Sequence, residues 1–282
     1  MLEAQEYSLL DFGSGRKLER FGEYVFDRPS PAADGITPSN PGIWRDATAK
    51  FTKSSGQSGR WTPSKSLPAE WTLNCGDFRL QLRPTPFGHL GVFPEQQQNW
   101  AWIARQIRRH GKRPRVLNLF AYTGGSTLAA ASAGAEVVHV DAAKNIVQWA
   151  RRNAEVSGLE EAPIRWIVED AATFVRRELK RGNHYDAIIL DPPSYGHGPT
   201  GGTWKLGRDL MHLLKGCGQL TQENRLFLLL TCHSPGYGAA ELSACLEDAV
   251  FGRCQSGATT RQLSISTSDG RKLDAGVVAR WP

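Results

Sequence analysis

Beyond Pro94 the hydrophobic positions fall in short runs of strand length, each followed by a segment whose apolar residues recur at helical spacing. Arg115–Phe120, Glu136–Val140, Ile164–Val168, Tyr185–Leu190 and Leu226–Thr231 predict five strands, rich in Val, Ile and Leu as strands buried on both faces are. The intervening segments 95–110, 126–133, 143–157, 171–181, 205–220 and 239–250 predict helices. In the first, Trp102, Ile103 and Ile107 form the apolar stripe, and Arg105, Arg108 and Arg109 lie off it. Gly134 and Gly158 stop the second and third helices. Two extended pieces, 260–266 and 276–281, close the chain. This alternation predicts an α/β fold: a doubly wound, mostly parallel sheet with helices on both faces.

The first third reads differently. Nine of the 16 prolines precede residue 95, and turn signals recur at Asp34-Gly35, Asn40-Pro41-Gly42 and Ser58-Gly59. Extended pieces lie between them at Tyr24–Asp27, Trp71–Leu73 and Phe78–Leu82. A small β-rich N-terminal domain over residues 1–87 is expected, ahead of a larger domain at 88–282. The Ser/Gly-rich stretch 52–66 is expected to be a mobile loop.

Composition narrows the class. At 282 residues, 40% hydrophobic and 22% charged, the chain can bury a substantial core and does not read as disordered. Its longest apolar run, Leu226–Leu230, is far short of the roughly 20 residues a membrane helix needs. The N-terminus lacks the pattern of a signal peptide, so a soluble, cytoplasmic protein is expected. Five scattered cysteines without C-x-x-C, and seven histidines without H-x-x-x-H, predict neither a disulfide scaffold nor a metal site. A net charge of +6 tilts the expected partner towards a polyanion such as RNA. Most basic runs, Arg105–Arg115 among them, are expected to be solvated faces, and the nine tryptophans to be packing residues.

In a doubly wound sheet, ligands bind at the carboxyl ends of the strands. Those ends carry Asn118-Leu-Phe-Ala-Tyr-Thr-Gly-Gly125, Asp141, Glu169-Asp170, Asp191-Pro-Pro193 and Thr231-Cys232. There is no G-x-G-x-x-G and no Gly-Lys-Ser/Thr, which weakens dinucleotide and P-loop readings. Gly124 and Gly125 would still let backbone approach a ligand at a helix N-terminus, and Asp141 is placed to accept two ribose hydroxyls. The plainer alternative is that the glycines shape a turn and Asp141 caps a helix.

These motifs, with Gly91-Val-Phe-Pro-Glu-Gln96 upstream and Ala150-Arg-Arg-Asn153 downstream of Asp141, resemble the Rossmann-like class I S-adenosylmethionine methyltransferases. Within them the chain is similar to the large-subunit ribosomal RNA cytosine-5 group over about residues 88 to 236. The resemblance implies S-adenosyl-L-methionine as cofactor and ribosomal RNA as partner. It implies that Phe120, Ala121, Tyr122, Thr123, Gly124, Gly125 and Gln96 hold the methionine end of the donor. Asp141 would bind the ribose, Asp170 the adenine amino group, and Asp191 would stand between donor and target base. Pro192, Pro193, Ser194 and Tyr195 would flank that base. The first 85 residues do not resemble the RNA-binding module found in members of the group.

Carbon 5 of cytosine is a poor nucleophile until a thiolate adds at carbon 6. Cys232, which aligns with the group's cysteine, would be that thiolate nucleophile with Asp191 as its acid/base partner; the plainer alternative is a small hydrophobe at a strand end. Cys217, Cys245 and Cys254 read as small hydrophobes, and His233 as an ordinary loop histidine, with assistance to proton transfer as the alternative. Lys205 and Arg208, after a glycine-rich loop at 196–202 read as mobile, are the expected RNA contacts. Two alternatives stay open. One is guanine or exocyclic-amine methylation without the cysteine, from which Ser194 departs because that chemistry places an aromatic there. The other is a non-RNA substrate.

Overall fold

The structure, a computed structural model, describes residues 3, 5–54, 58–63, 67–198, 201–252 and 257–282. Cys254 lies outside them. Two compact units emerge: residues 1–97 with 264–275, and 98–263 with 276–282.

In the first unit, β1 (Tyr7–Gly13), β2 (Arg16–Phe21), β3 (Tyr24–Pro29), β4 (Ala49–Lys53) and β5 (Gly59–Pro63) form a sheet in sequence order. Neighbours are antiparallel except β3 and β4, which run parallel. A separate hairpin pairs β6 (Trp71–Asn74) with β7 (Arg79–Leu82). Phe26 stacks on Trp71 at 5.5 Å between ring centres, and Trp61 meets both Phe26 and Phe51 edge-on. That cluster corrects the mobile loop expected at 52–66. Phe51 pairs with Trp61 across β4 and β5, and the two aromatic anchors hold strands whose remaining residues include Lys50, Thr52, Lys53, Arg60 and Thr62. Residues 55–57 and 64–66 of that stretch lie outside the described ones.

The second unit opens with α1 (Gln97–His110), whose first residue still belongs to the first unit, and β8 (Arg115–Leu119). Then come α2 (Gly125–Ser132), β9 (Glu136–Asp141), α3 (Lys144–Val156), β10 (Ile164–Val168), α4 (Ala171–Lys180) and β11 (Ala187–Leu190). A short hairpin, β12 (Tyr195–His197) and β13 (Thr203–Lys205), precedes α5 (Leu206–Leu220), β14 (Phe227–Cys232) and α6 (Ala239–Phe251). β15 (Thr259–Ser266) and β16 (Lys272–Trp281) finish the chain. The sheet order is β10-β9-β8-β11-β14-β16-β15. The first five strands are parallel, and β16 is antiparallel to β14. The chain winds outward in opposite directions from β8 and β11, so the switch point lies between them.

Both faces of the sheet are covered. Leu117, Leu119, Val138, Leu190, Leu228 and Leu230 share a core with residues of α4, α5 and α6. On the other face Trp102 of α1 meets Phe227, and Asn118 bonds Thr127 of α2. Each such buried Leu or Val contributes roughly 1.5–3 kcal/mol relative to an exposed one.

A contiguous division at residue 87 differs from what is observed. Residues 264–275, between the paired halves of β15 and β16, return to the first unit. There Ile265 and Leu273 pack with Leu9 and Phe12, and Arg271 donates to the buried Asp11. Among the described residues, no helix is long and apolar enough to cross a membrane, and no group of three or more His, Cys, Asp or Glu could hold a metal.

Candidate functional site

The loop after β8 is conformationally unusual. Phe120 and Tyr122 have φ of 55° and 49°, in the left-handed region, which costs non-glycine residues about 1–2 kcal/mol each. Bonds to other elements hold them there. Ala121 N donates to Val140 O at 3.1 Å, Tyr122 N to Asp141 Oδ2 at 2.9 Å, and Asn153 Nδ2 to Thr123 O at 2.8 Å. Gly124 caps α2 at φ 91°, which a side chain would resist. Gly125 faces the Trp100 ring, and a Cβ there would stand 2.7 Å from it. Packing against α1 therefore accounts for Gly125 without a ligand.

Beneath the loop, Asn118 Nδ2 donates to Thr127 Oγ1 at 2.9 Å, and that oxygen is 2.9 Å from His139 Nδ1. Burial pushes His139 down to about 3, so the ring is neutral at ordinary pH.

Asp141 ends β9, half-buried. Its Oδ2 holds the Tyr122 N–H and its Oδ1 the Ala143 N–H at 3.0 Å. Burial raises its pKa, the backbone donors offsetting only part of the desolvation. One strand further on, Glu169 N donates to Asp141 O, and Asp170 Oδ1 caps α4 by accepting from Thr173 N at 2.8 Å.

On the other side of the switch point, Asp191 follows β11. Thr231 Oγ1 donates to Asp191 Oδ1 at 2.5 Å, and His233 Nε2 lies 3.6 Å from the same oxygen. Burial works to raise the Asp191 pKa, but His233 and Thr231 outweigh it and hold the carboxyl below its usual range. His233 is thus more than a loop histidine, although only its place just beyond a strand end could have signalled this in the sequence. Gly276 of β16 has φ 95°, and a Cβ there would sit 2.5 Å from Cys232 O and 2.7 Å from His233 Nδ1.

Cys232 is 2% exposed and shares the core with Leu230, its Sγ accepting from Ser234 N at 3.5 Å. Of the stretch read as a mobile loop at 196–202, Gly196 and His197 belong instead to β12 of the β12–β13 hairpin. Gly196 pairs with Trp204, and residues 199 and 200 lie outside the described ones. Trp204 anchors it by packing on Phe120 at 4.9 Å and donating Nε1 to Pro193 O at 2.7 Å. Tyr195 is 46% exposed beside His197. Lys205 is exposed at the head of α5, whereas the Arg208 guanidinium is engaged by Asp209 and Thr203 O. Gln96 is buried in the turn Pro94–Gln96 of the first unit.

Asp170, Asp141, the 120–123 loop, Asp191 and Thr231 thus lie at the carboxyl ends of five adjacent parallel strands. From β10 to β11 is three strand spacings, about 14 Å, the scale of an extended nucleoside with an amino-acid tail. The sequence model of the S-adenosylmethionine-dependent methyltransferase family matches residues 54–248. The chain belongs to that family.

A SAM-dependent methyltransferase from Agrobacterium tumefaciens has a crystal structure matching with a TM-score of 0.92 at 38% identity, over 98% of this chain and 90% of that one. Among curated methyltransferases, ribosomal RNA large subunit methyltransferase I of Aeromonas hydrophila is 38% identical over 110 residues, 38% of this chain and 27% of that protein. Ribosomal RNA large subunit methyltransferase K/L of Pseudoalteromonas atlantica is 34% identical over 145 residues, 50% of this chain and 19% of that protein. The matched segments thus span about a quarter or less of these two relatives.

Proposed function

We propose that the chain transfers a methyl group from S-adenosylmethionine to a base of large-subunit ribosomal RNA, at carbon 5 of a cytosine, with Cys232 as nucleophile. The observation that carries the donor site is the Tyr122 N–Asp141 Oδ2 bond, which sets the loop and the carboxylate side by side. Burial raises the Asp141 pKa although the Tyr122, Ala142 and Ala143 N–H groups bond the carboxylate; a ribose diol offers it two further donors. The backbone of 120–123 holds the methionine end, and Asp170 Oδ2, outside the helix cap, accepts from the adenine amino group. When bound, the donor supplies an electrophilic methyl carbon on sulfur.

Asp191, fixed by Thr231 and flanked by His233, hydrogen-bonds the base while the Cys232 thiolate adds to carbon 6. Carbon 5 then attacks the methyl carbon. Its proton passes to a base, for which His233 is the candidate, and the thiolate leaves. Alignment and exclusion of water supply the rest of the rate. The relatives' ribosomal RNA substrates and the chain's positive charge support RNA as acceptor.

One observation favours a second reading. Cys232 is buried in the core while Tyr195, beside the Asp191-Pro-Pro turn, is open, which suits methylation of an exocyclic amine without a thiolate. Mass spectrometry of ribosomal RNA nucleosides from a strain lacking the chain separates the two. Loss of 5-methylcytidine supports the first, loss of an N-methylated base supports the second, and an unchanged profile removes ribosomal RNA.

A further inference from the structure

The first unit holds a cleft of about 590 Å³, within the roughly 300–1,000 Å³ range of ligand sites. One wall is apolar and flat: Trp44, with Pro38 and Pro41. Trp44 is fixed before any ligand arrives, because its Nε1 donates to the buried Asp11 at 2.9 Å. Three cations also line the cleft, Arg16, Arg45 and Lys50, against one acid, Asp27. Asp27 is neutralised in place: Arg16 Nε donates to its Oδ1 at 2.5 Å, and Lys50 Nζ lies 3.5 Å from its Oδ2. Arg16 is further tied to Phe51 O at 2.9 Å. Arg45 is exposed, with no hydrogen-bond or ion-pair partner among the described residues, and the Lys50 side chain is 56% exposed.

We propose that this cleft is an RNA-docking site of the first unit, taking one nucleotide of a single strand with its base against Trp44 and the flanking phosphates on Arg45 and Lys50. A rigid aromatic face beside cations in excess of the one acid, with Arg45 unpaired and Lys50 exposed, suits a ligand that is flat and apolar at one end and anionic at the other. An acidic peptide would use the cations and leave the flat wall empty. The site rests on the reading that the substrate is RNA, and it gives the first unit a task that its sequence does not disclose.

The test is fluorescence anisotropy of the full chain with a 5′-fluorescein cytidylate RNA dodecamer across a salt series, alongside calorimetry with S-adenosylhomocysteine. Replacing two phosphate contacts in the double variant Arg45→Gln/Lys50→Gln is expected to weaken RNA binding about tenfold and lower the log–log salt slope by about 1.4. Donor binding should stay unchanged. Trp44→Leu is expected to weaken binding about tenfold by removing the stacking face; should it fail to fold, the exposed pair still decides. Unchanged affinity and slope in a chain that binds RNA overturn the docking site and leave the methyltransferase reading intact. A wild-type chain that ignores RNA while binding S-adenosylhomocysteine overturns both the site and the RNA substrate. Equal displacement by poly-glutamate at matched charge also overturns the site.

Discussion

The Tyr122 backbone N–H and the Asp141 carboxylate are joined at 2.9 Å, a bond from the loop leaving β8 to the acid that ends β9. It helps hold Tyr122 at φ 49° and fixes one oxygen of Asp141. The strain in the loop and the placement of the acid are one arrangement.

A β-branched side chain tolerates the left-handed region least, and asparagine tolerates it better than most. Tyr122→Val is therefore expected to lower stability by about 1–3 kcal/mol, and Tyr122→Asn by less. Urea denaturation monitored by circular dichroism gives both values. Equal losses would mean that Tyr122 matters through its contact with Trp149 rather than through its backbone.

Gly125→Ala drives a methyl group into the Trp100 ring and is expected to cost about 1–3 kcal/mol by overpacking. Trp100→Leu in the same chain should recover part of that loss, a coupling that a double-mutant cycle in urea would measure. Strictly additive losses would separate the two residues energetically.

At Gly276 the backbone and its neighbours act together. Alanine there must adopt φ 95° and displace Cys232 O or His233. Gly276→Ala is expected to destabilise the chain by about 1–3 kcal/mol and to lower methyl transfer more than donor binding. Parallel methylation assays and calorimetry would show the split; normal transfer at full donor affinity would detach Gly276 from the acceptor side.

His139 sets a pH dependence. The unfolded chain takes up a proton on this ring near 6.5, while the folded chain resists until about 3. Its contribution is complete above about pH 6.5 and is lost as the pH falls towards 3, by up to about 1.4 kcal/mol per unit. Urea midpoints at pH 7.5 and 5.5 should fall more for the wild type than for His139→Asn. Parallel falls would place the sensitivity elsewhere.

The strands that build the rim are legible in the sequence because each is a short run rich in Val, Ile or Leu, buried in β8, β9, β11 and β14 and half-exposed in the edge strand β10, that stops at a polar residue, so Asp141, Asp170 and Asp191 could be placed at strand ends. The first unit is harder to read. Asp11 and Glu19 are buried within β1 and β2 and break the alternation; their partners Arg271 and Arg28 come from other segments. Phe51 and Trp61 hold β4 and β5 through a tertiary aromatic cluster that a Ser/Gly-rich stretch conceals. The return of 264–275 to the first unit depends on Ile265 and Leu273 finding Leu9 and Phe12, over 250 residues away in the chain. At the site, the tie between Thr231 and Asp191 spans 40 residues and becomes visible only once β11 and β14 are paired.

The most direct measurement is titration calorimetry of S-adenosylhomocysteine into the wild-type chain and Asp141→Ala, with circular dichroism confirming that the variant is folded. Losing charge-assisted hydrogen bonds to the ribose is expected to weaken binding about 10- to 100-fold. A wild type that does not bind, or a folded variant that binds as tightly as the wild type, would contradict the placement of the donor across these strand ends.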